Sequence, residues 1–151
     1  ICTNTMHKLA PEVQEQVYIP LVHIADATAQ SIKEAGLRKI ALLGTRFTME
    51  EDFYKGRLTR QYGLQVIIPA AEDMETVHRV IYDELCLGKI ESSSKQEYKD
   101  IIARLVGAGA EGVILGCTEI GLLIKQEDYD IPLFDTARIH AEAAVEIALK
   151  K

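Results

Sequence analysis

The sequence predicts an α/β fold, a three-layer α/β/α domain around a parallel sheet, on three observations. Short apolar runs alternate with longer amphipathic ones, as βα units require. Two of the runs, Ile40-Ala41-Leu42-Leu43 and Val113-Ile114-Leu115, are continuous rather than alternating, the pattern of strands buried on both faces. The 151 residues, 48% hydrophobic and 26% charged, suffice for one compact domain, or for one domain and part of another.

Each element has its own signal. Pro20 to Ile24 is a short apolar run expected as a strand, and Ala25 to Ala35 has helical spacing and a Gly36 stop. Arg38 to Gly44 is the best strand. Thr48 with Glu51 three residues later forms a capping box, opening a helix through Phe53, Leu58 and Tyr62 to Gly63. Leu64 to Ile68 is the next strand, ended by Pro69. Two helices, Met74 to Leu87 and Lys95 to Val106, are separated by Gly88 and the polar run Ser92-Ser93-Ser94. Gly107-Ala108-Gly109 reads as a C-cap and turn. Gly112 to Gly116 is a strand, Ile131 to Phe134 a last short one, and Thr136 to Lys150 a final helix with Ile139, Val145 and Ile147 on its apolar side.

Composition removes several function classes. A net charge of -6 argues against a nucleic-acid partner, because phosphate contacts need a basic surface. No run approaches the roughly 20 apolar residues of a membrane span. Three cysteines, Cys2, Cys86 and Cys117, form no disulfide framework and favour free thiols in a reducing, cytoplasmic compartment. His7, His23, His78 and His140 lack metal-ligand spacing, so no metal is expected. Neither a Gly-x-Gly-x-x-Gly nor a Walker loop supplies a nucleotide cradle, and no serine occupies a strand-to-helix elbow.

Ligands of open parallel sheets bind beyond the carboxyl ends of strands. Two segments meet that condition directly, Gly44-Thr45-Arg46 and Cys117-Thr118-Glu119. A weak internal repeat adds a third, because Cys2-Thr3-Asn4 echoes Cys117-Thr118-Glu119. The opening at Ile1, without Met, reads as a sequence entered midway, with the strand before Cys2 expected upstream. Hydroxyl and amide donors in these segments suit a carboxylate. A helix N-terminus would lower a thiol pKa from about 8.5 towards neutrality, and two opposed thiols could relay a proton through one carbon. Cys86, inside a helix, is read as packing; His78 is read as solvated. For His7, His23 and His140, structural hydrogen bonding and a supporting role at the site weigh equally.

Cys2-Thr3-Asn4-Thr5-Met6-His7-Lys8 and Gly116-Cys117-Thr118-Glu119-Ile120-Gly121-Leu122-Leu123 together resemble the two signature segments of the aspartate/glutamate racemase superfamily. With Gly44-Thr45-Arg46-Phe47-Thr48-Met49-Glu50, the match is similar to its bacterial branch. The resemblance implies a racemase independent of pyridoxal phosphate, with no cofactor, built from two pseudo-symmetric domains with one cysteine on each side of the cleft. Carried onto this chain, Cys2 and Cys117 are the paired acid and base. Asn4, Thr5 and Thr118 would hold the amino-acid backbone groups, and Thr45 and Thr48 would form a further substrate loop. Residues 20–135 would be the second domain, with residues 1–19 and 136–151 belonging to the first. The expected substrate is a small amino acid, aspartate or glutamate, and the expected assembly a homodimer. Arg46, Lys95 and Arg138 are possible partners for a distal carboxylate. Hydantoin racemases, maleate cis-trans isomerases and arylmalonate decarboxylases share the architecture; a non-catalytic amino-acid-binding module is the alternative of another class.

Overall fold

The computed structural model describes residues 1–150. After a 3₁₀ turn, Thr5–Leu9, the elements are α1 (Ala10–Gln16), α2 (Ile24–Glu34), β1 (Lys39–Gly44), α3 (Arg46–Glu50), α4 (Asp52–Tyr62), β2 (Gln65–Ile67), α5 (Ala71–Asp83), a 3₁₀ turn at Leu85–Leu87, α6 (Ser92–Gly107), β3 (Gly112–Gly116), α7 (Ile120–Leu123), a 3₁₀ turn at Gln126–Asp128, β4 (Leu133–Asp135) and α8 (Thr136–Leu149).

All four strands are parallel, in the order β2-β1-β3-β4. The continuous apolar runs occupy the two central strands. Ile40 through Gly44 and the whole of β3 are buried. Their register is direct, from Ile40 opposite Gly112 to Gly44 opposite Gly116. From β1 the chain moves outward to β2, then crosses back over β1 to β3. Right-handed crossovers in opposite directions put their helices on opposite faces, so α5 and α6 pack together on one side while α2, α4 and α8 associate on the other. Ile24 and Ile32 of α2, Leu58 of α4, and Val80, Ile101 and Ile102 of α5 and α6 are essentially fully buried against the sheet. Each contributes about 1.5–3 kcal/mol of burial. Asp26 and Arg57 join α2 to α4 through a two-pronged ion pair at 2.5 and 2.8 Å.

Four expectations change. Pro20 to Ile24 forms no strand: its backbone groups are taken by side chains, Leu21 N–H donating to Gln14 Oε1 and Val22 O accepting from His140 Nε2, and Ile24 already opens α2. The capping box at Thr48 is absent, because Thr45 caps α3 instead and the chain breaks at Glu51 before α4. The helix expected over residues 74–87 starts at Ala71 and ends at Asp83. The serine run is the first turn of α6 rather than a separator. The turn at Gly109, with φ of 93°, is as read.

Candidate active site

The central strands end in glycines for a packing reason. A Cβ on Gly116 would lie 2.7 Å from the Leu43 carbonyl oxygen, and one on Gly44 would lie 2.9 Å from the Gly116 carbonyl oxygen. No side chain fits, so β1 and β3 stay in close register to their last residues, and the loops carrying Thr45 and Cys117 leave side by side. Strand order reverses at this place, the position where open α/β sheets bind ligands.

A cavity of about 410 Å³ lies there. Its sheet side is made by Thr45, Gly116 and Cys117; the N-terminal segment contributes Cys2, Asn4 and Thr5; Thr118 and Glu119 continue from β3. Ile81 and Tyr82 of α5 and Cys86 of the following turn complete the lining, with Thr3 and Met6. The structure thus brings Cys2, Cys117, Asn4, Thr5, Thr45 and Thr118 to one cavity. Thr48 is fully buried and does not line it. It stands behind, in a triangle of hydroxyls: Thr5 to Thr45 at 3.1 Å, Thr5 to Thr48 at 3.3 Å, Thr45 to Thr48 at 3.2 Å.

Asn4 is 3% exposed. Its Nδ2 donates to Thr136 Oγ1 at 2.9 Å, and Thr136 Oγ1 donates to the Leu115 carbonyl at 2.8 Å. Among the described residues the Asn4 Oδ1 has no hydrogen-bond partner, which is costly for a buried acceptor.

Cys117 departs from the thiol chemistry expected of it. Burial pushes its pKa up to about 12, and the neighbouring Glu119 carboxylate, accepting its S–H at 2.9 Å, adds to the rise. The positive end of a helix does not compensate, because α7 has four residues and begins three positions later. Burial pulls the Glu119 carboxyl upward, but hydrogen bonds from Cys117 and from Thr118 Oγ1, the latter at 2.7 Å, outweigh it and hold its pKa low. Cys117 is therefore a protonated thiol beside a carboxylate at neutral pH.

The histidines are structural. His7 Nδ1 donates to the Thr3 carbonyl at 2.8 Å while its Nε2 accepts from Ile24 N–H. His23 Nδ1 accepts from Ala25 N–H. His78, expected in solvent, accepts from Arg46 N–H at 3.1 Å. Arg46 is paired with Glu75, Lys95 with Asp128 at 2.7 Å, and Arg138 with Glu142 at 3.5 Å. Cys86, read as helix packing, is instead exposed on a 3₁₀ turn and lines the cavity. Glu119, Tyr82 and Cys86 are the residues that sequence reading missed. Glu119 stood inside the quoted Cys-Thr-Glu segment; the other two reach the cavity only through packing of α5 against the sheet, which leaves no local signal. Among the described residues, no three of His, Cys, Asp and Glu gather as a metal-binding group, and no helix is long and apolar enough to cross a membrane.

Solved structures of the same architecture are known. A candidate Asp/Glu racemase from Yersinia pestis is 52% identical with a TM-score of 0.94, covering 99% of this chain and 65% of that one. An aspartate racemase homologue from Pyrococcus horikoshii OT3 is 41% identical with a TM-score of 0.86, covering 97% and 64%. In sequence, the broad specificity amino-acid racemase RacX of Bacillus subtilis (strain 168) is 21% identical over 150 residues, 97% of this chain and 62% of its own. This chain thus spans less than two thirds of the length of each of these proteins. The family model for Asp/Glu/Hydantoin racemase matches residues 1–144, and the chain belongs to that family.

Proposed function

We propose that this cavity racemises a free amino acid at Cα by proton transfer between Cys2 and Cys117, with no cofactor. The observation that supports it is the meeting of both cysteines, 115 positions apart in sequence, around one cavity. In one direction the Cys2 thiolate takes the Cα proton from one face, and the carbanion takes the Cys117 proton from the other. The electron pair of the broken S–H bond stays on Cys117. In the reverse direction Cys117, left as the thiolate by the forward turnover, takes the Cα proton and Cys2 returns one from the other face. The unpartnered Asn4 Oδ1 accepts from the substrate ammonium. The Thr5 and Thr45 hydroxyls and the Thr118 main-chain N–H donate to its carboxylate, where charge develops as the proton leaves. Thr48 fixes the first two.

The same reading assigns residues 20–135 to a second α/β domain and residues 1–19 and 136–151 to the first, with the opposite wall of the cleft in the further length that the relatives have. It places the enzyme in the cytoplasm, where free thiols persist, as a homodimer. The name of the family makes aspartate and glutamate the first substrates to test.

The test uses full-length protein in deuterium oxide, following chirality and Cα deuteration. Cys2→Ala and Cys117→Ala should each abolish racemisation, while each still exchanges the α-hydrogen of one enantiomer, opposite for the two variants. Racemisation at the normal rate by either variant would refute the scheme. Calorimetric binding of amino acids with no deuterium entering Cα would instead favour a binding module.

A further inference from the structure

We propose that His7 is a positioning residue for Cys2: one imidazole tautomer, with its proton on Nδ1, fixes the Thr3 carbonyl against the start of α2. The inference rests on the racemase reading above and adds to it the group that holds the Cys2 segment in place.

His7 lies in the 3₁₀ turn that follows the cavity segment and is 1% exposed. It holds two successive carbonyls of that segment. Its main-chain N–H donates to the Asn4 carbonyl at 3.1 Å, and its Nδ1 donates to the Thr3 carbonyl at 2.8 Å. At the far end of the ring, Nε2 accepts from Ile24 N–H at 3.1 Å. Ile24 opens α2 and is itself buried in the core, so the imidazole passes the position of a fixed helix to the residue after Cys2. Asn4 and Thr5 are tied through their own side chains, the first to Thr136 and the second to Thr45 and Thr48. The Thr3 carbonyl lies nearer to Cys2 along the chain than either of those ties.

The two partners of the ring fix its proton. A carbonyl only accepts and an amide N–H only donates, so the hydrogen sits on Nδ1 and a lone pair on Nε2. Burial disfavours the cation and, against the pull of the Thr3 carbonyl, holds the pKa below its usual 6.5. Neighbouring rings restrict rotation. The His23 ring lies 4.5 Å away between centroids at 56°, and the His140 ring 5.5 Å away at 76°. Both are themselves tied, His140 Nε2 donating to the Val22 carbonyl and His23 Nδ1 accepting from Ala25 N–H. Turning the His7 ring would break two hydrogen bonds in a buried place. Misplacing a reacting group by about 1 Å costs on the order of a hundredfold in rate, so the anchoring of this segment bears directly on turnover.

Two substitutions separate the two ring nitrogens. His7→Asn puts an amide N–H where Nδ1 stands and leaves Ile24 N–H unpaired; His7→Gln reaches the Nε2 position with a carbonyl oxygen and leaves the Thr3 carbonyl unpaired. In the full-length protein, His7→Gln should lower kcat for racemisation by about tenfold or more, and His7→Asn should recover most of the loss. A residue that serves only α2 gives the opposite order. The loss should also be one-sided: α-hydrogen exchange in deuterium oxide should fall about tenfold when His7→Gln is added to Cys117→Ala, where Cys2 is the base, and no more than about threefold when it is added to Cys2→Ala. A greater loss in His7→Asn, or equal losses on the two cysteines, would overturn the assignment and leave the racemase reading standing. If the wild type neither racemises nor exchanges any amino acid, the racemase reading falls, and amide hydrogen exchange over residues 2–6 decides the positioning: faster exchange in His7→Gln than in His7→Asn supports it, and equal or reversed rates overturn it. Should either variant fail to fold in a thermal melt, proton–nitrogen correlation spectra of the wild type decide instead, a proton on Nδ1 supporting the inference and one on Nε2 overturning it.

Discussion

Thr136 shows how much of the site depends on one hydroxyl. It donates to the Leu115 carbonyl and accepts from Asn4 Nδ2, so it ties the start of α8, the end of β3 and the N-terminal segment together. Thr136→Val keeps the shape but strands both partners in a buried place. Urea denaturation should show a loss of about 2–4 kcal/mol, and Thr136→Ser should recover most of it. At this scale the sequence was legible in the placement that the motifs implied, as in the meeting of Cys2 and Cys117 at one cavity. It was illegible where chemistry depends on surroundings. The raised pKa of Cys117 follows from burial and from the orientation of Glu119, and neither is written in the Cys-Thr-Glu order.

The start of α2 is an element held by two imidazoles. Its first amides, Ile24 and Ala25 N–H, donate to His7 Nε2 and His23 Nδ1, so both nitrogens must remain unprotonated. Burial first, and then the Arg57 cation, lower the His23 pKa from 6.5 to about 4; burial likewise lowers that of His7. The unfolded chain binds these protons more readily than the folded one. Stability should therefore be full above pH 6.5 and fall as the pH drops towards 4, by up to about 3 kcal/mol from His23. Thermal melts across this range should flatten in His23→Asn, which keeps a capping side chain without the titration; an unchanged slope would count against the assignment. Central strands β1 and β3 were plain in the sequence because a run buried on both faces has no polar alternation to blur it. The run at Pro20 to Ile24 looked similar and was misread, since what decided it was capture of its backbone by Gln14 and His140, residues from other elements.

At the scale of the whole molecule, an apolar surface remains uncovered. Val17, Tyr18 and Ile19 after α1, and Val145, Ile147 and Leu149 along α8, are all exposed. An apolar groove of about 520 Å³, lined by Val17 and Ile19 and by Ala137, Ala141 and Ala144 of α8, continues to Cys2 and Thr118. The 151-residue chain should bind a hydrophobic dye in this groove, and Ile19→Glu with Ala144→Glu should reduce the signal. Because both side chains are exposed, the melting temperature should move by no more than about 2 °C; undiminished dye binding would show that the surface lies elsewhere. The close pairing of Gly44 with Gly116 has a wider consequence. It keeps the Gly116 main chain at the sheet side of the cavity, beside the Thr45 and Cys117 side chains, where an added Cβ would meet the Leu43 carbonyl oxygen. The lining can thus change by exchanging side chains around this glycine, while the main-chain frame at the strand ends stays the same.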